Sequence, residues 1–149
     1  MTVSVTELAE EIQRLFAQKN DGERERVKSI FEQLRAELSA GRVRAAEPDP
    51  SAPTGWKVNT WVKQGILLGF RAGEISVFPS THKNMPYLDK DTLPLKSLDA
   101  KSGIRVVPGG SSIRDGAYIG TGVICMPPMY INIGAYVGND SLIDSHALV

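Results

Sequence analysis

The chain has 149 residues, with 17 basic and 17 acidic side chains and a hydrophobic fraction of 42%. This length suits one domain, or one domain with an appendage; the composition excludes a mostly disordered chain, and the balanced charge gives no support to nucleic-acid backbone binding. No apolar run approaches the roughly 18 residues of a membrane span, no secretory leader is recognisable and the single cysteine excludes an intrachain disulfide, so we expect a cytoplasmic protein.

The first 50 residues predict a helical hairpin. Ser4 and Glu7 have the spacing of a capping box, and the apolar residues that follow recur at helical intervals. Asn20, Asp21 and Gly22 are expected to end this helix, with Asp21 placed to cap a second helix that ends near Gly41. We interpret the charged runs between the apolar positions as the solvated face of the hairpin.

The middle of the chain predicts fewer regular elements. Residues 47–53 contain three prolines and indicate a loop, and the Pro-rich loop extends to about residue 55. A third helix is expected from Asn59 to about Gly69, followed by a short alternating strand over 74–78. Residues 79–103 are expected to be irregular.

The last 45 residues carry a six-residue repeat. Every sixth position from Val107 to Val149 is a β-branched aliphatic residue except Cys125, and the residues four places later are mostly small. A period of six fits neither a helix nor an alternating strand meander, and it is typical of a parallel β-helix. The fold class expected is therefore α+β, with a mainly helical domain over 1–103 followed by a left-handed parallel β-helix over 104–149.

The repeat also predicts that more protein surrounds this segment. Residues 105–149 hold five charged side chains, too few for a well-solvated surface, so we expect symmetry mates to cover it. Seven hexads from 107 to 148 make roughly 2.3 turns of such a helix, and the last turn is expected to present an unpaired edge. Either another chain covers this edge, or the chain is truncated after about two coils, and we favour truncation.

Several strings in this order resemble the 2,3,4,5-tetrahydropyridine-2,6-dicarboxylate N-succinyltransferases. The strings are Gly55–Lys63 with Ile66–Arg71, Ile104–Pro108 with Gly116–Ile119, Tyr130–Val137 and Ile143–Val149. The resemblance implies a homotrimeric enzyme of lysine and diaminopimelate biosynthesis with active sites between subunits. It implies transfer of succinyl from succinyl-CoA to the amino group of a ring-opened dicarboxylate, with no permanently bound cofactor. It also implies that most of the coenzyme A groove lies beyond Val149, so this chain alone is expected to be inactive.

The resemblance assigns two candidate site residues. Arg105 matches a substrate-binding arginine, whose planar guanidinium suits a carboxylate, although a surface arginine is the simpler alternative. Asp144 matches a catalytic and substrate-orienting aspartate, because acyl transfer requires a deprotonated and positioned amine. Asp144 follows the inward-pointing Ile143 and is expected to face outward, although an aspartate that bonds its own turn is the alternative.

Other chemically interesting residues are expected to be structural. His146 is interpreted as a turn residue rather than a base, and with His82 it is too few for a three-histidine zinc site in one chain, so no metal is expected. Cys125 is interpreted as inert core filler. We expect Arg114 and Asp115 to form a solvated or intersubunit pair. Asn132 and Tyr136 are expected either to line a cleft or to belong to a structural ladder along the coils.

Two other functions stay open at this point. The chain can be a hexapeptide acyltransferase with another donor, such as acetyl-CoA, or another acceptor amine. It can also be a non-catalytic module whose solenoid forms trimers without binding a dicarboxylate.

Overall fold

A computed structural model describes residues 4–18, 23–80 and 84–149. Three helices occupy the N-terminal half: α1 (Val5–Gln18), α2 (Arg24–Ser39) and α3 (Thr60–Ala72). The predicted capping box is confirmed, since the Ser4 amide donates to Glu7 Oε2 over 2.8 Å and the Glu7 amide donates to Ser4 Oγ over 3.3 Å. The proposed cap Asp21 lies outside the described residues. None of the helices formed by the described residues combines the length and the apolar character that a membrane crossing requires.

The three helices pack around one apolar core, because each presents a stripe of aliphatic or aromatic residues to the other two. The largest fully buried members are Leu8, Ile12, Ile30, Phe31, Leu34 and Val62. Helix α3 approaches the other two closely at two glycines. A Cβ at Gly65 would lie 2.4 Å from the Leu34 side chain, and one at Gly69 would lie 2.5 Å from the Phe31 ring. Larger residues at these positions would therefore push the helices apart.

Two antiparallel hairpins flank the helices. Strand β1 (Ala46–Pro48) pairs with β2 (Trp56–Val58), and β3 (Ile75–Phe78) pairs with β4 (Tyr87–Lys90). Strand β3 was predicted, but the expectation of a loop from residue 47 and of irregular chain over 79–103 was wrong where β1 and β4 form. Strand β2 was not predicted either. Strands β1 and β2 have only three residues each, too few to show a strand pattern, and β4 lacks the alternation of apolar and polar residues. Each forms because a partner strand satisfies its backbone.

The C-terminal part consists of two-residue strands in small parallel sheets. In the described stretch 84–149 these are β5 (Arg105–Val106), β6 (Ser112–Ile113), β7 (Tyr118–Ile119), β8 (Ile124–Cys125), β9 (Tyr130–Ile131), β10 (Tyr136–Val137) and β11 (Leu142–Ile143). From β6 onward the strands begin six residues apart, and β6 pairs with β9, β7 with β10, and β8 with β11, each 18 residues along the chain. No sheet of the described residues closes on itself.

The inward positions of the repeat form a second apolar core. Ile113, Ile119, Cys125, Ile131 and Val137 are each at most 8% exposed, which confirms the predicted inward set over these five hexads. The protein is thus a mixed helix and strand fold with N-terminal helices.

The first strand of the repeat departs from the predicted register. Val106, not Val107, lies opposite Cys125, so β5 and β8 are offset by 19 residues instead of 18. The extra residue is absorbed between β5 and β6, where Gly109 and Gly110 adopt φ of 146° and 87°. Opposed residues of parallel strands share a face, so Val106 has the inward orientation expected of Val107, although it remains 40% exposed.

Arg114 and Asp115 join the repeat to the N-terminal half of the chain, so their interpretation as a solvated or intersubunit pair with each other is wrong. Asp115 is paired with Arg35 of α2 over 3.1 Å and accepts a hydrogen bond from Ser39 Oγ over 2.6 Å. The Gly116 amide in turn donates to Ser39 Oγ over 2.7 Å. Arg114 instead contacts Asp89 of β4 and the carbonyl of Leu93 in the segment that follows β4. Both charges are therefore used within one chain.

We expect alanine at Gly41 to destabilise the protein more than alanine at Gly55. Both glycines have φ near 72°, a backbone conformation that costs an alanine about 1 kcal/mol. A Cβ at Gly41 would also lie 2.7 Å from the Tyr118 ring, whereas a Cβ at Gly55 would have no described atom within 4 Å. Urea unfolding should show a loss of about 1 kcal/mol for Gly55→Ala and about 2–4 kcal/mol for Gly41→Ala. Equal losses would contradict the close contact between Gly41 and Tyr118.

Glu11 should stabilise the fold near neutral pH and lose this effect in acid. Hydrogen bonds from Arg14, opposed by partial burial and supported by Arg26, lower the pKa of Glu11 from about 4.5 to about 2. A lowered folded-state pKa means that stability present above pH 4.5 is lost as the pH falls towards 2. Because the Arg14 side chain is 41% exposed, we expect Glu11→Gln to cost only about 0.5–1 kcal/mol near neutral pH.

The measurement compares urea unfolding of the wild-type protein and Glu11→Gln near pH 7 and near pH 2.5. The difference in unfolding free energy should shrink at the lower pH. Glu10→Gln is the matched control, since Glu10 is exposed on the same helix and makes no ion pair with the described residues. A difference in unfolding free energy between wild type and Glu11→Gln that stays the same near pH 2.5 would contradict the lowered pKa of Glu11.

Candidate functional site

The two residues predicted for the site lie on one sheet. Strands β5, β8 and β11 form a three-stranded parallel sheet with β8 in the middle, and Arg105, Ile124 and Leu142 stand opposite one another. We call the outward side of this sheet, together with Asp144, the outer face. Asp144 follows Leu142 by two residues, so strand alternation places it on the same side. The strands that carry Arg105 and Asp144 are about 10 Å apart.

Arg105 projects from the first strand of this sheet. It is exposed, while its neighbour Ile104 is half-buried and packs against the second apolar core. The one-residue shift of β5 produces this arrangement, because it places Val106 inward and therefore Arg105 outward. Arg105 makes no side-chain hydrogen bond or ion pair with the described residues, so its guanidinium is available to an anion.

Asp144 lies at the turn after β11, exposed as predicted. Its Oδ1 accepts a hydrogen bond from the Ser145 amide over 2.8 Å, so the alternative of an aspartate that bonds its own turn is also observed. The turn is held in place by Ser145 Oγ, which donates to the carbonyl of Pro127 over 2.6 Å. The second carboxylate oxygen, Oδ2, has no partner among the described residues and can accept a proton or a hydrogen bond from an amine.

The surface between the two charged residues is apolar. Ile124 separates Arg105 from Leu142 in register. The half-buried Met126 directly follows β8, and its amide donates to the carbonyl of Ile143. A carboxylate bound by Arg105 and an amine at Asp144 would thus be joined across an apolar strip. This arrangement suits a molecule with an aliphatic chain between an anionic end and a nucleophilic nitrogen.

Of the residues interpreted as structural, His146 lies exposed in a turn and Cys125 lies in a packed core. His146 is a turn residue with φ of 65°, and its amide donates to the carbonyl of Pro128 over 2.6 Å. Cys125 is fully buried in the second core, and burial raises the pKa of its thiol. His82 lies outside the described residues. Across residues 4–18, 23–80 and 84–149, no three His, Cys, Asp or Glu side chains lie together as a metal site would require.

Tyr136 is part of a stack rather than of an open cleft. Its ring lies 4.5 Å from that of Tyr118, with an angle of 23° between the planes, and the Arg44 guanidinium lies 3.4 Å from the Tyr136 centroid. Asn132 accepts a hydrogen bond from the Ile133 amide over 2.9 Å, which is a turn contact within its own segment. Both residues therefore support the backbone of the repeat.

A cluster of polar side chains around Arg114 was not predicted from the sequence. Its guanidinium contacts Asp89 and the carbonyl of Leu93, and Nε donates to the Tyr130 hydroxyl over 2.9 Å. Partial burial opposes the ionisation of Asp89, but the Lys90 amide and Arg114 together lower its pKa. The group borders a cavity of about 270 Å³. It was missed because Asp89 belongs to β4, the strand that sequence patterning did not reveal.

Comparison with known proteins confirms the resemblance found in the sequence. Residues 7–72, which contain most of α1 and all of α2 and α3, match the family model described as tetrahydrodipicolinate N-succinyltransferase N-terminal. Relatives named 2,3,4,5-tetrahydropyridine-2,6-dicarboxylate N-succinyltransferase share substantial identity with the chain. One from Xylella fastidiosa (strain Temecula1) is 40% identical over 116 residues, covering 75% of this chain and 40% of the relative.

Two further relatives with the same name extend the match. One from Methylobacterium sp. (strain 4-46) is 33% identical over 127 residues, covering 83% of this chain and 44% of the relative. One from Idiomarina loihiensis is 34% identical over 137 residues, covering 88% and 45%. The matched region thus spans less than half the length of these relatives.

The burial of Cys125 predicts slow chemical labelling. Alkylation requires an accessible thiolate, and Cys125 is fully buried with a raised pKa, so iodoacetamide should react at least about a hundredfold more slowly with the folded protein than with the urea-unfolded chain. Mass spectrometry follows the reaction, and Cys125→Ser gives the background. Labelling of the folded protein at the unfolded rate would contradict the inward placement of this residue.

Proposed function

We propose that this chain carries the substrate-binding part of an N-succinyltransferase that acts on tetrahydrodipicolinate in lysine and diaminopimelate biosynthesis. The names of its relatives support the reaction, and the match of residues 7–72 supports the family. The structural observation that carries the proposal is the position of Arg105 and Asp144 on one outer face, separated by an apolar strip. Such a face suits the ring-opened form of the substrate, which has carboxylates and an amino group on an aliphatic chain.

The proposed reaction is acyl transfer from the co-substrate succinyl-CoA to the substrate amine. The amine nitrogen attacks the thioester carbonyl carbon, a C–N bond forms, and the C–S bond breaks. The nitrogen loses one proton and the departing coenzyme A sulfur gains one, so the products are an amide and a free thiol. No external oxidant or reductant is needed.

Each proposed residue has a separate task in this reaction. Arg105 holds a substrate carboxylate through paired N–H donors, which fixes the position of the chain over Ile124 and Met126. Asp144 accepts a hydrogen bond from the amine through Oδ2 and takes up its proton as the C–N bond forms. The Ser145 amide and the Ser145–Pro127 contact hold the carboxylate so that little reorganisation is needed.

The same proposal includes the architecture of the repeat. We propose that residues 104–149 form a left-handed parallel β-helix after a mainly helical domain over 1–103, and that the protein is a cytoplasmic homotrimer. Parallel pairing at 18-residue intervals, with three strands per interval, supports the β-helix. Exposed apolar side chains on the repeat support coverage by other subunits, with Leu142 and Leu148 exposed by 61% and 82%.

Two alternatives follow from specific observations. The outer face contacts only the acceptor in this proposal, so the observed geometry is equally compatible with acetyl-CoA as the donor or with another acceptor amine. The bond between Asp144 and its own turn favours a structural aspartate, which fits a trimerising module without catalysis. Both alternatives are separated from the main proposal by the following experiment.

We expect Asp144→Asn to reduce kcat and Arg105→Gln to raise the KM for the dicarboxylate. Loss of a proton acceptor typically lowers the rate by about 10²–10⁴-fold, and loss of a carboxylate contact should raise KM by about 10–100-fold. The assay follows release of the coenzyme A thiol by the native-length gene product, with succinyl-CoA and acetyl-CoA tested in parallel.

Matched controls are Asp140→Asn and Arg42→Gln. Asp140 is an exposed aspartate of the same segment, with φ of 56° that asparagine tolerates, and Arg42 is an exposed arginine paired with Glu37. Both controls should retain full turnover. Unchanged turnover in Asp144→Asn would exclude its catalytic role, and a trimer without thiol release from either donor would support the module instead.

A further inference from the structure

A second cavity lies away from the outer face, at the C-terminal end of α3. It has a volume of about 830 Å³ and is bordered by the end of α1, the start of α2 and the β3–β4 hairpin. None of its described lining residues belongs to the repeat segment. Its position and its composition are therefore independent of Arg105 and Asp144.

The floor of this cavity is apolar. Leu15, Val27, Leu68 and Ala72 line it, and each is at most 8% exposed in the helical core. These side chains come from all three helices, so the floor is fixed by the packing of the helical domain. An apolar ligand body placed here would displace water from a preformed surface.

The rim carries excess positive charge. Arg24, Arg71 and Lys90 line the cavity together with one carboxylate among the described residues, that of Glu74. Glu74 is paired with Arg24 over 2.7 Å, and its side chain is 65% exposed, so this pair is well solvated. Two further cations therefore remain to attract an anion.

The backbone holds two of these cations at the rim. Arg24 Nε donates to the carbonyl of Ala72 over 2.9 Å, and Lys90 Nζ donates to that of Gly73 over 3.0 Å. A carbonyl is neutral, and each cation keeps further N–H donors, so these contacts position the charges without cancelling them. The positive groups are thus ordered before any ligand arrives.

Arg71 is the most available of the three. Its guanidinium lies 4.9 Å from the centroid of the Phe16 ring and forms no ion pair with the described residues. A cation over an aromatic face keeps its charge and its planar donors while its orientation is restricted. An acidic group above the apolar floor would find paired donors at this position.

We propose that this cavity binds a small organic anion with an apolar body. Its acidic group contacts Arg71 and Lys90, and its body lies on the floor formed by Leu15, Val27, Leu68 and Ala72. Because the cavity joins the helices to the β3–β4 hairpin through Gly73, Glu74 and Lys90, an occupant fixes the hairpin against the helices. Binding here does not require turnover at the outer face.

The test uses anilinonaphthalene sulfonate as the probe, because it combines an aromatic body with one fixed negative charge. Its fluorescence reports binding to the folded chain, and a single saturable site is expected. Arg71→Gln combined with Lys90→Gln should weaken binding by at least about tenfold, with a smaller loss for Arg71→Gln alone. Arg71→Lys should recover part of the affinity by restoring the charge.

Three comparisons make the test decisive. The neutral N-phenyl-naphthylamine, which lacks the sulfonate, should bind at least about tenfold more weakly than the anionic probe. Lys63→Gln removes an exposed lysine of the same helix that does not line the cavity, and it should leave binding unchanged. Circular dichroism identifies any variant that has unfolded. If the double variant is unfolded, the probe affinity of Arg71→Gln alone is compared with that of the wild-type protein, because this substitution breaks no described backbone contact. Equal binding of both probes, or equal loss in Lys63→Gln, would overturn the proposal.

Discussion

The C-terminal half depends on hydrogen bonds between backbone segments that lie one 18-residue interval apart. Its strands have two residues each and would have no stability on their own. The Tyr118 amide, for example, donates to the carbonyl of Ala135 over 3.0 Å, and the Ile124 amide donates to that of Ser141 over the same distance. This pairing sets which side chains point inward to the core and which point outward, and so it determines where a charged residue can meet a ligand.

The helical half is attached to this ladder by a few polar contacts. Of the five charged residues between 105 and 149, Arg114 and Asp115 are used for the attachment, through Asp89 on one side and Arg35 with Ser39 on the other. Arg44 over Tyr136 adds a cation–π contact between the two halves. The other three charged residues of the repeat, Arg105, Asp140 and Asp144, form no ion pair with the described residues, and of these Arg105 and Asp144 lie on the outer face.

The sequence predicted those parts of the protein that follow from local patterns. Capping of α1, the apolar stripes of α1 and α2 and the inward set from Ile113 to Val137 could be predicted, because spacing along the chain determines them. Strand β4 could not be predicted because apolar and polar residues do not alternate in it. The role of Arg114 could not be predicted because its partners Leu93 and Asp89 lie 21 and 25 residues away along the chain. The outward position of Asp144 followed from alternation, whereas its bond to the Ser145 amide required the coordinates of the turn.

The glycine-containing connection after β5 has a consequence for how this surface can change in evolution. If β5 kept the strict six-residue register of the later strands, Val107 would lie opposite Cys125, and Arg105 would point towards the interior instead of the surface. The additional residue reverses the orientation of the whole strand without altering any side chain in it. Gain or loss of a single residue in this connection is therefore a more drastic event for the outer face than most substitutions within it, because the length of the connection decides whether Arg105 points outward.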